Sequence, residues 1–81
     1  MNDLTLKLLG IIWWFIRDYS ANVYSLSKVT DALIRYMTDR GYFIELVDGK
    51  HRDYKIVKVC DHQFRIVRIH GWNSYDVRTI D

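Results

Sequence analysis

The chain contains two similar six-residue segments, YKIVKV at residues 54–59 and FRIVRI at residues 64–69. Each has the order aromatic, basic, isoleucine, valine, basic, aliphatic, and its β-branched and aromatic content is typical of β-strands. The polar residues between them include Asp61-His62, which we predict to be a tight turn. The two segments should therefore pair as an antiparallel hairpin, with strands from Tyr54 to Cys60 and from Phe64 to His70.

The register of this hairpin decides where its four basic side chains lie. A turn at Asp61-His62 would place Lys58 opposite Arg65 and Lys55 opposite Arg68, with the two basic pairs on opposite faces of the sheet. The apolar residues then divide into Tyr54, Ile56, Val67 and Ile69 on one face and Val57, Val59, Phe64 and Ile66 on the other. A bulge would instead gather all four basic residues on one side. Both registers remain open from the sequence alone.

Two further strands are predicted beside the hairpin, from Tyr42 to Val47 and from Tyr75 to Ile80. The breaks around them, Asp48-Gly49 and residues 71–74, are short and rich in turn-forming residues. No intervening segment is long enough for the crossover helix that parallel strands require. The sequence therefore predicts an antiparallel meander of three to four strands.

The first half of the chain predicts two helices, from Leu4 to Tyr19 and from Leu26 to Arg40. Ser25 is a suitable N-cap for the second, and Gly41 suits the left-handed position after its last turn. The first helix is apolar on nearly all sides, which is typical of an enclosed helix or of one that offers surface to a partner. Its two predicted stripes are Leu4, Leu8, Ile11, Ile12 and Phe15, and Leu6, Leu9, Trp13 and Ile16. We expect a single α+β domain over residues 1–81, with two N-terminal helices packed on the meander.

Composition limits the classes of partner and compartment. Twelve basic and ten acidic residues give a formal net charge of +2, which is too balanced for a protein that coats nucleic acid by charge alone. A single cysteine, Cys60, excludes an internal disulfide, and no secretory signal is evident, so the reducing cytoplasm is the expected compartment. The apolar run from Leu4 to Ile16 is shorter than the ~20 residues that a spanning helix needs. We therefore expect no membrane partner.

Catalytic and metal-binding patterns are weak throughout the chain. Cys60 and His62 have a shorter spacing than the usual zinc-ligand pair, and no orienting group marks Cys60 as a nucleophile. Asp48 with Asp53-Tyr54-Lys55 loosely resembles a nuclease metal site, but the chain is too short for the mixed sheet that holds such sites. The glycines form no nucleotide-binding motif. We predict a protein that is not an enzyme and that carries no cofactor and no metal.

Large aromatic residues favour a protein partner. Trp13, Trp14, Trp72 and Tyr75 are the predicted binding residues, because tryptophan and tyrosine are enriched among the residues that dominate interface energies. We interpret the chain as a small non-enzymatic regulator or inhibitor of a cellular host protein, of the kind that phages and mobile elements encode. An uncovered sheet face or edge would also allow a homodimer.

The alternative is a regulator that binds DNA or RNA. The sequences KVTDALIRYM at residues 28–37 and DRGY at residues 39–42 resemble the recognition helix and exit of a winged helix-turn-helix domain. DGKHRDY at residues 48–54 resembles its wing, a charged hairpin tip. The chain departs from that family because residues 20–25 are too few for the separate helix that precedes a recognition helix.

The resemblance implies positions for the residues that would contact nucleic acid. It places Ser27, Lys28, Thr30 and Asp31 toward the groove and Lys50, His51 and Arg52 on phosphates. The basic residues of the strands would extend this contact. The full set predicted for nucleic acid is Lys28, Lys50, Arg52, Lys55, Lys58, Arg65 and Arg68.

Overall fold

The computed structural model describes residues 3–19, 25–69 and 74–80. The elements follow in the order α1 (Asp3–Tyr19), α2 (Leu26–Asp39), β1 (Ile44–Asp48), β2 (Tyr54–Val59), β3 (His62–Ile69) and β4 (Ser74–Thr79). The strands form one antiparallel sheet in the order β1-β2-β3-β4. The predicted α+β arrangement of two N-terminal helices followed by a meander is confirmed.

The start of α2 is fixed by two side-chain hydrogen bonds. The Lys28 N–H donates to Ser25 Oγ at 3.3 Å, which confirms Ser25 as the N-cap. One turn later, Thr30 Oγ1 donates to the Leu26 carbonyl at 2.7 Å, and Thr30 is 1% exposed. The winged-helix resemblance placed Thr30 toward a DNA groove, and this is wrong because Thr30 faces the core with its hydroxyl satisfied within the helix.

The end of α2 has the hydrogen bonds of a Schellman motif. Gly41 has φ of 87°, its N–H donates to the Thr38 carbonyl at 3.0 Å, and the Tyr42 N–H donates to the Met37 carbonyl at 3.0 Å. A side chain at Gly41 would be strained at this φ, so the predicted role of this glycine is confirmed. The motif stops α2 and turns the chain into β1.

The core lies between the two helices and one face of the sheet. α1 packs mainly on β4, and α2 packs on β1 and β2. The fully buried apolar side chains are Leu8, Ile12, Val29, Leu33, Met37, Val57, Val59, Phe64 and Ile66. Burying this apolar surface is the main favourable contribution to folding, at about 25 cal/mol per Å² removed from water.

The buried stripe of α1 differs from the predicted one. Leu4 is exposed, whereas Thr5 and Ile16 are buried. Thr5 Oγ1 and His62 Nδ1 lie 3.0 Å apart in a hydrogen bond that ties the start of α1 to the start of β3. A polar residue is tolerated inside because its hydroxyl is hydrogen-bonded. Ile16, which the sequence placed in the second stripe with Leu6 and Trp13, belongs to the core.

The turn between β2 and β3 lies one residue earlier than predicted. Cys60 and Asp61 have φ of 48° and 70°, and Val59 pairs with His62 across a two-residue turn. Positive φ at both central residues is the requirement of a type I′ turn. Aspartate tolerates this conformation, but cysteine carries no such preference, and so the sequence did not indicate the position.

This shorter turn changes which residues oppose the basic side chains. Lys58 pairs with Gln63 and Lys55 with Ile66, so the predicted like-charge pairs with Arg65 and Arg68 do not form. Moving the turn by one residue shifts the strand pairing by two residues. A two-residue shift leaves every side chain on the same face, so the apolar residues divide between the two faces as expected. Lys58 and Arg65 lie on the face away from the helices, and Lys55 and Arg68 on the face toward them.

The Asp61→Gly replacement should stabilise the domain. Asp61 has a positive φ, and its 3.9 Å ion pair with Lys58 is weak because the Asp61 side chain is 96% exposed. Glycine removes the steric cost of the left-handed conformation, and after its entropic cost the free energy of unfolding should rise by about 0.5 kcal/mol. Urea denaturation measures this change. Asp61→Ala is the control and should destabilise; greater stability of the alanine variant would contradict the turn assignment.

The β4 edge of the sheet has a capped backbone amide at its centre. The Ile80 N–H donates to the Gln63 carbonyl at 3.1 Å, so alternate residues of β4 face β3, and the backbone of Val77 points away from the sheet. The Val77 N–H donates to Asp76 Oδ1 at 2.9 Å. Asp76 Oδ2 in turn accepts from Arg78 Nε at 2.9 Å. A carboxylate therefore occupies the middle of this edge, which hinders pairing with another strand.

Candidate protein-interaction surface

The side of α1 that faces away from the sheet presents two adjacent tryptophans. Trp13 is 38% exposed and Trp14 is 68% exposed. Their ring centroids lie 6.0 Å apart at an interplanar angle of 83°, an edge-to-face arrangement. The guanidinium carbon of Arg17 lies 4.9 Å from the centroid of the Trp13 ring, in a cation–π contact. Two large rings are thus held beside each other on a regular helix.

Helical spacing adds further residues to this side of α1. Leu6, which is 53% exposed, lies two turns before Trp13, and Lys7 lies two turns before Trp14. Gly10 lies between them, three and four residues before the tryptophans. We call this set the tryptophan surface; it consists of Leu6, Lys7, Gly10, Trp13, Trp14 and Arg17.

Of the predicted protein-binding residues that the structure describes, Trp13 and Trp14 lie side by side, whereas Tyr75 lies on a different element. Trp13 and Trp14 share the tryptophan surface, but Tyr75 is half-buried on β4 and packs against the core. Burial raises the pKa of the Tyr75 hydroxyl, and the positive charge of Arg68, opposite it in the sheet, partly offsets this rise. Tyr75 therefore serves mainly as part of the core. Trp72 lies outside the described residues.

Two of the predicted nucleic-acid contacts already have partners. Lys58 Nζ lies 3.6 Å from Glu45 Oε1, and it also approaches the carboxylate of Asp61. Lys55 Nζ donates to the Gly49 carbonyl. Carboxylates beside Lys58 reduce the attraction that it could offer to a phosphate.

The remaining predicted cations lie on both faces of the sheet, in the β1–β2 connection and on α2. Arg65 lies over the Tyr54 ring on the outer face of the sheet, with its guanidinium carbon 5.4 Å from the ring centroid. Arg68 lies on the opposite face. The others are exposed residues of the first turn of α2 and of the β1–β2 connection, namely Lys28, Lys50 and Arg52. The four strand residues are therefore divided between the two faces of the sheet, with Lys58 and Arg65 on one face and Lys55 and Arg68 on the other.

The residues weighed for catalysis or metal binding lie mainly around the β2–β3 turn. Cys60 is half-buried in the β2–β3 turn, and His62 is hydrogen-bonded to Thr5. Within residues 3–19, 25–69 and 74–80, no three His, Cys, Asp or Glu side chains are grouped so that they could hold a metal ion. His70, which the sequence also offers as a possible ligand or base beside Cys60, lies outside those ranges. Neither helix in the described part of the chain combines the length and apolar character that crossing a bilayer would require.

A second apolar surface, which the sequence did not single out, follows β1. Phe43 is 72% exposed, Leu46 is 45% exposed and Val47 is 48% exposed, all at one edge of the sheet. The available signal was the segment FIELV at residues 43–47, in which every residue except Glu45 is apolar. A strand that buries one face needs an apolar side chain only at every second position.

Gly10→Ala should raise the free energy of unfolding by about 0.5–1 kcal/mol, because glycine in a helix interior costs that much relative to alanine. A Cβ built at Gly10 meets no other heavy atom within 4 Å, so the described structure offers no steric obstacle. Thermal or urea denaturation of the variant measures the effect. A loss of stability would mean that Gly10 has a structural role in the isolated domain.

No protein-family model matches the chain, and no curated protein or solved structure matches it significantly. The functional argument therefore rests on the surfaces and contacts of this molecule.

Proposed function

We propose that the chain is a small non-enzymatic regulator or inhibitor that binds a cellular host protein through the tryptophan surface. The observation that carries the proposal is the exposure of Trp14, 68%, next to Trp13 on a regular helix. Exposed side chains of this size contribute little to the stability of the domain itself. At protein interfaces, by contrast, tryptophan and arginine are the residues that most often dominate the binding energy.

The absence of a side chain at Gly10 supports the same function. Glycine at this position costs stability, and the described residues give no steric reason for it. A missing side chain between Leu6 and the tryptophans allows a partner to approach the helix closely. Close approach of a partner would therefore account for the presence of a glycine that the fold itself does not require.

The charges of the tryptophan surface indicate the partner's chemistry. Arg17 lies against Trp13, and Lys7 is on the same side of the helix as Trp14. Asp3 lies four residues before Lys7, and Asp18 lies four residues after Trp14, so charges of both signs border the rings. An apolar groove with charged groups of both signs at its rim would accept the rings and pair with these side chains. We place this encounter in the cytoplasm of a host cell, and phages or mobile elements are the proposed source of such a regulator. A second copy of the chain is the other protein partner that the surface would admit.

The test is capture of partners from a host lysate on the immobilised protein, with and without nuclease treatment. We expect a retained protein that survives nuclease and is captured almost equally at low and high salt, since burial of aromatic surface is little affected by ionic strength. Loss of the captured material after nuclease treatment, with affinity that falls steeply with salt, would reject the proposal and favour the nucleic-acid alternative.

A further inference from the structure

We propose that the β1 edge is a strand-addition site for an extended segment of a partner protein, in which basic and apolar residues alternate. This site is separate from the tryptophan surface and does not depend on the function proposed for it. Strand addition uses unpaired backbone groups for affinity and alternate side chains for specificity.

The backbone of β1 has the necessary orientation. The Cys60 N–H donates to the Phe43 carbonyl at 3.0 Å, and Glu45 pairs with Lys58 in the same ladder. In an antiparallel pair the residues that bond to the neighbouring strand alternate with residues that do not. The N–H and C=O groups of Ile44 and Leu46 therefore point away from β2. β1 ends the strand order, so no other described strand lies beside these groups.

The charges near β1 favour a basic partner. β1 itself contains Glu45 and Asp48 and no cationic residue. The cations Lys50 and Arg52 follow the Asp48 end of β1. At the other end, Lys58 Nζ lies 3.6 Å from Glu45 Oε1, but the same ammonium group also lies 3.9 Å from Asp61 Oδ1. The Glu45–Lys58–Asp61 cluster thus has a net negative charge, which would attract a basic side chain on an added strand.

The size of the edge favours a peptide segment over a second copy of the chain. β1 has five residues, about 17 Å of strand, and its regular pairing is interrupted by a bulge between Leu46 and Asp48. Stable protein interfaces bury about 800 Å² on each partner, which five edge residues cannot supply. Pairing two copies of β1 would also bring together two pairs of carboxylates, from Glu45 and Asp48 of each copy.

The register specifies the pattern of the segment. Side chains directly opposite each other in neighbouring strands lie on the same face. In an antiparallel addition, residues that bond to Ile44 and Leu46 would place their side chains on the helix side, where β1 packs against α2, and should be apolar. The residue opposite Glu45 would lie on the outer face and should be basic. The predicted recognition pattern is therefore apolar-basic-apolar in extended conformation.

The probe is a capped synthetic octapeptide of alternating valine and lysine, added to isotope-labelled protein and followed by NMR. We expect saturable shifts of the Ile44 and Leu46 amides. N-methylation of the valines removes the donors that face β1, and it should weaken binding at least ~10-fold. N-methylation of the lysines, whose N–H groups face away, should change affinity less than ~3-fold. Equal losses for both peptides, or shifts centred on the tryptophan surface, would overturn the proposal.

Two variants complete the test. Glu45→Gln should weaken the valine–lysine peptide by about 2- to 5-fold, the range of one cross-strand charge pair. Trp14→Ala is the matched control and should leave peptide affinity unchanged, so failure of this site is distinguishable from failure of the tryptophan surface. Unchanged affinity in the Glu45 variant, or a dimer that forms through β1 in sedimentation and excludes the peptide, would reject the proposed occupant.

Discussion

Replacing Phe64 with alanine should lower the free energy of unfolding by about 3–5 kcal/mol, which is the cost of removing a buried phenylalanine. Phe64 is 0% exposed and lies in β3, with Val57 of β2 and Thr79 of β4 opposite it. The cavity would open in the middle of the core, where surrounding strands restrict collapse. A domain of this size has a total stability of about 4–12 kcal/mol, so much of the fold would be lost.

Urea denaturation followed by tryptophan fluorescence measures this loss. Phe64→Leu retains most of the volume and should cost less than about 1.5 kcal/mol. Phe43→Ala removes the same ring from an exposed position and should change stability by less than about 0.5 kcal/mol. If the two phenylalanine-to-alanine variants were equally stable, the assignment of Phe64 to the centre of the core would be wrong.

The double replacement of Trp13 and Trp14 with alanine should weaken capture of the protein partner by at least ~30-fold, which corresponds to about 2 kcal/mol of interface energy. Both rings are exposed on α1, so their removal deletes binding surface while most of the core remains intact. Calorimetry or surface plasmon resonance with the captured partner gives the dissociation constants of the variant and of the unchanged protein, and their ratio measures the loss. The far-ultraviolet circular dichroism of the variant should match that of the unchanged protein.

Phe43→Ala again supplies the matched control, because it removes exposed aromatic area from the β1 edge rather than from α1. Capture should be unaffected by this change. Undiminished capture by the double tryptophan variant, with its fold retained, would remove the tryptophan surface from the function.

Local chemistry explains why the sequence predicted most of the fold. Ser25 and Gly41 mark the ends of α2 through preferences that depend on neighbouring residues alone. Strand alternation likewise separates Phe64, which is buried, from Arg65, which is exposed. These features need no knowledge of distant contacts.

The errors come from interactions between residues distant in sequence or from unusual backbone conformations. Thr5 is buried because it meets His62, which lies 57 positions later in the chain. Cys60 adopts a positive φ, which cysteine does not favour, so the sequence did not indicate this conformation. The same limit applies to Thr30, where a hydroxyl inside the helix looks polar in sequence but is satisfied locally.

The candidate sites were predictable to different degrees. The exposure of Trp13 and Trp14 follows from a helix that is too apolar for a small domain to enclose. The cross-strand partners of the basic residues could not be deduced, because a turn that starts at Cys60 rather than Asp61 moves every cross-strand neighbour. Their division between the two faces was one of the two predicted registers. The openness of β1 depends on which strands become edges of the sheet, and the sequence does not specify this.

The carboxylate cap on β4 has a consequence for how the protein behaves at high concentration. Strand pairing between molecules can continue without limit only if each molecule has two open sheet edges, one for the preceding molecule and one for the next. At the β4 edge the Val77 N–H is already hydrogen-bonded to the Asp76 carboxylate, whereas β1 forms the other edge of the sheet. The carboxylate therefore hinders continued association through strand pairing, because it obstructs the centre of one of the two edges.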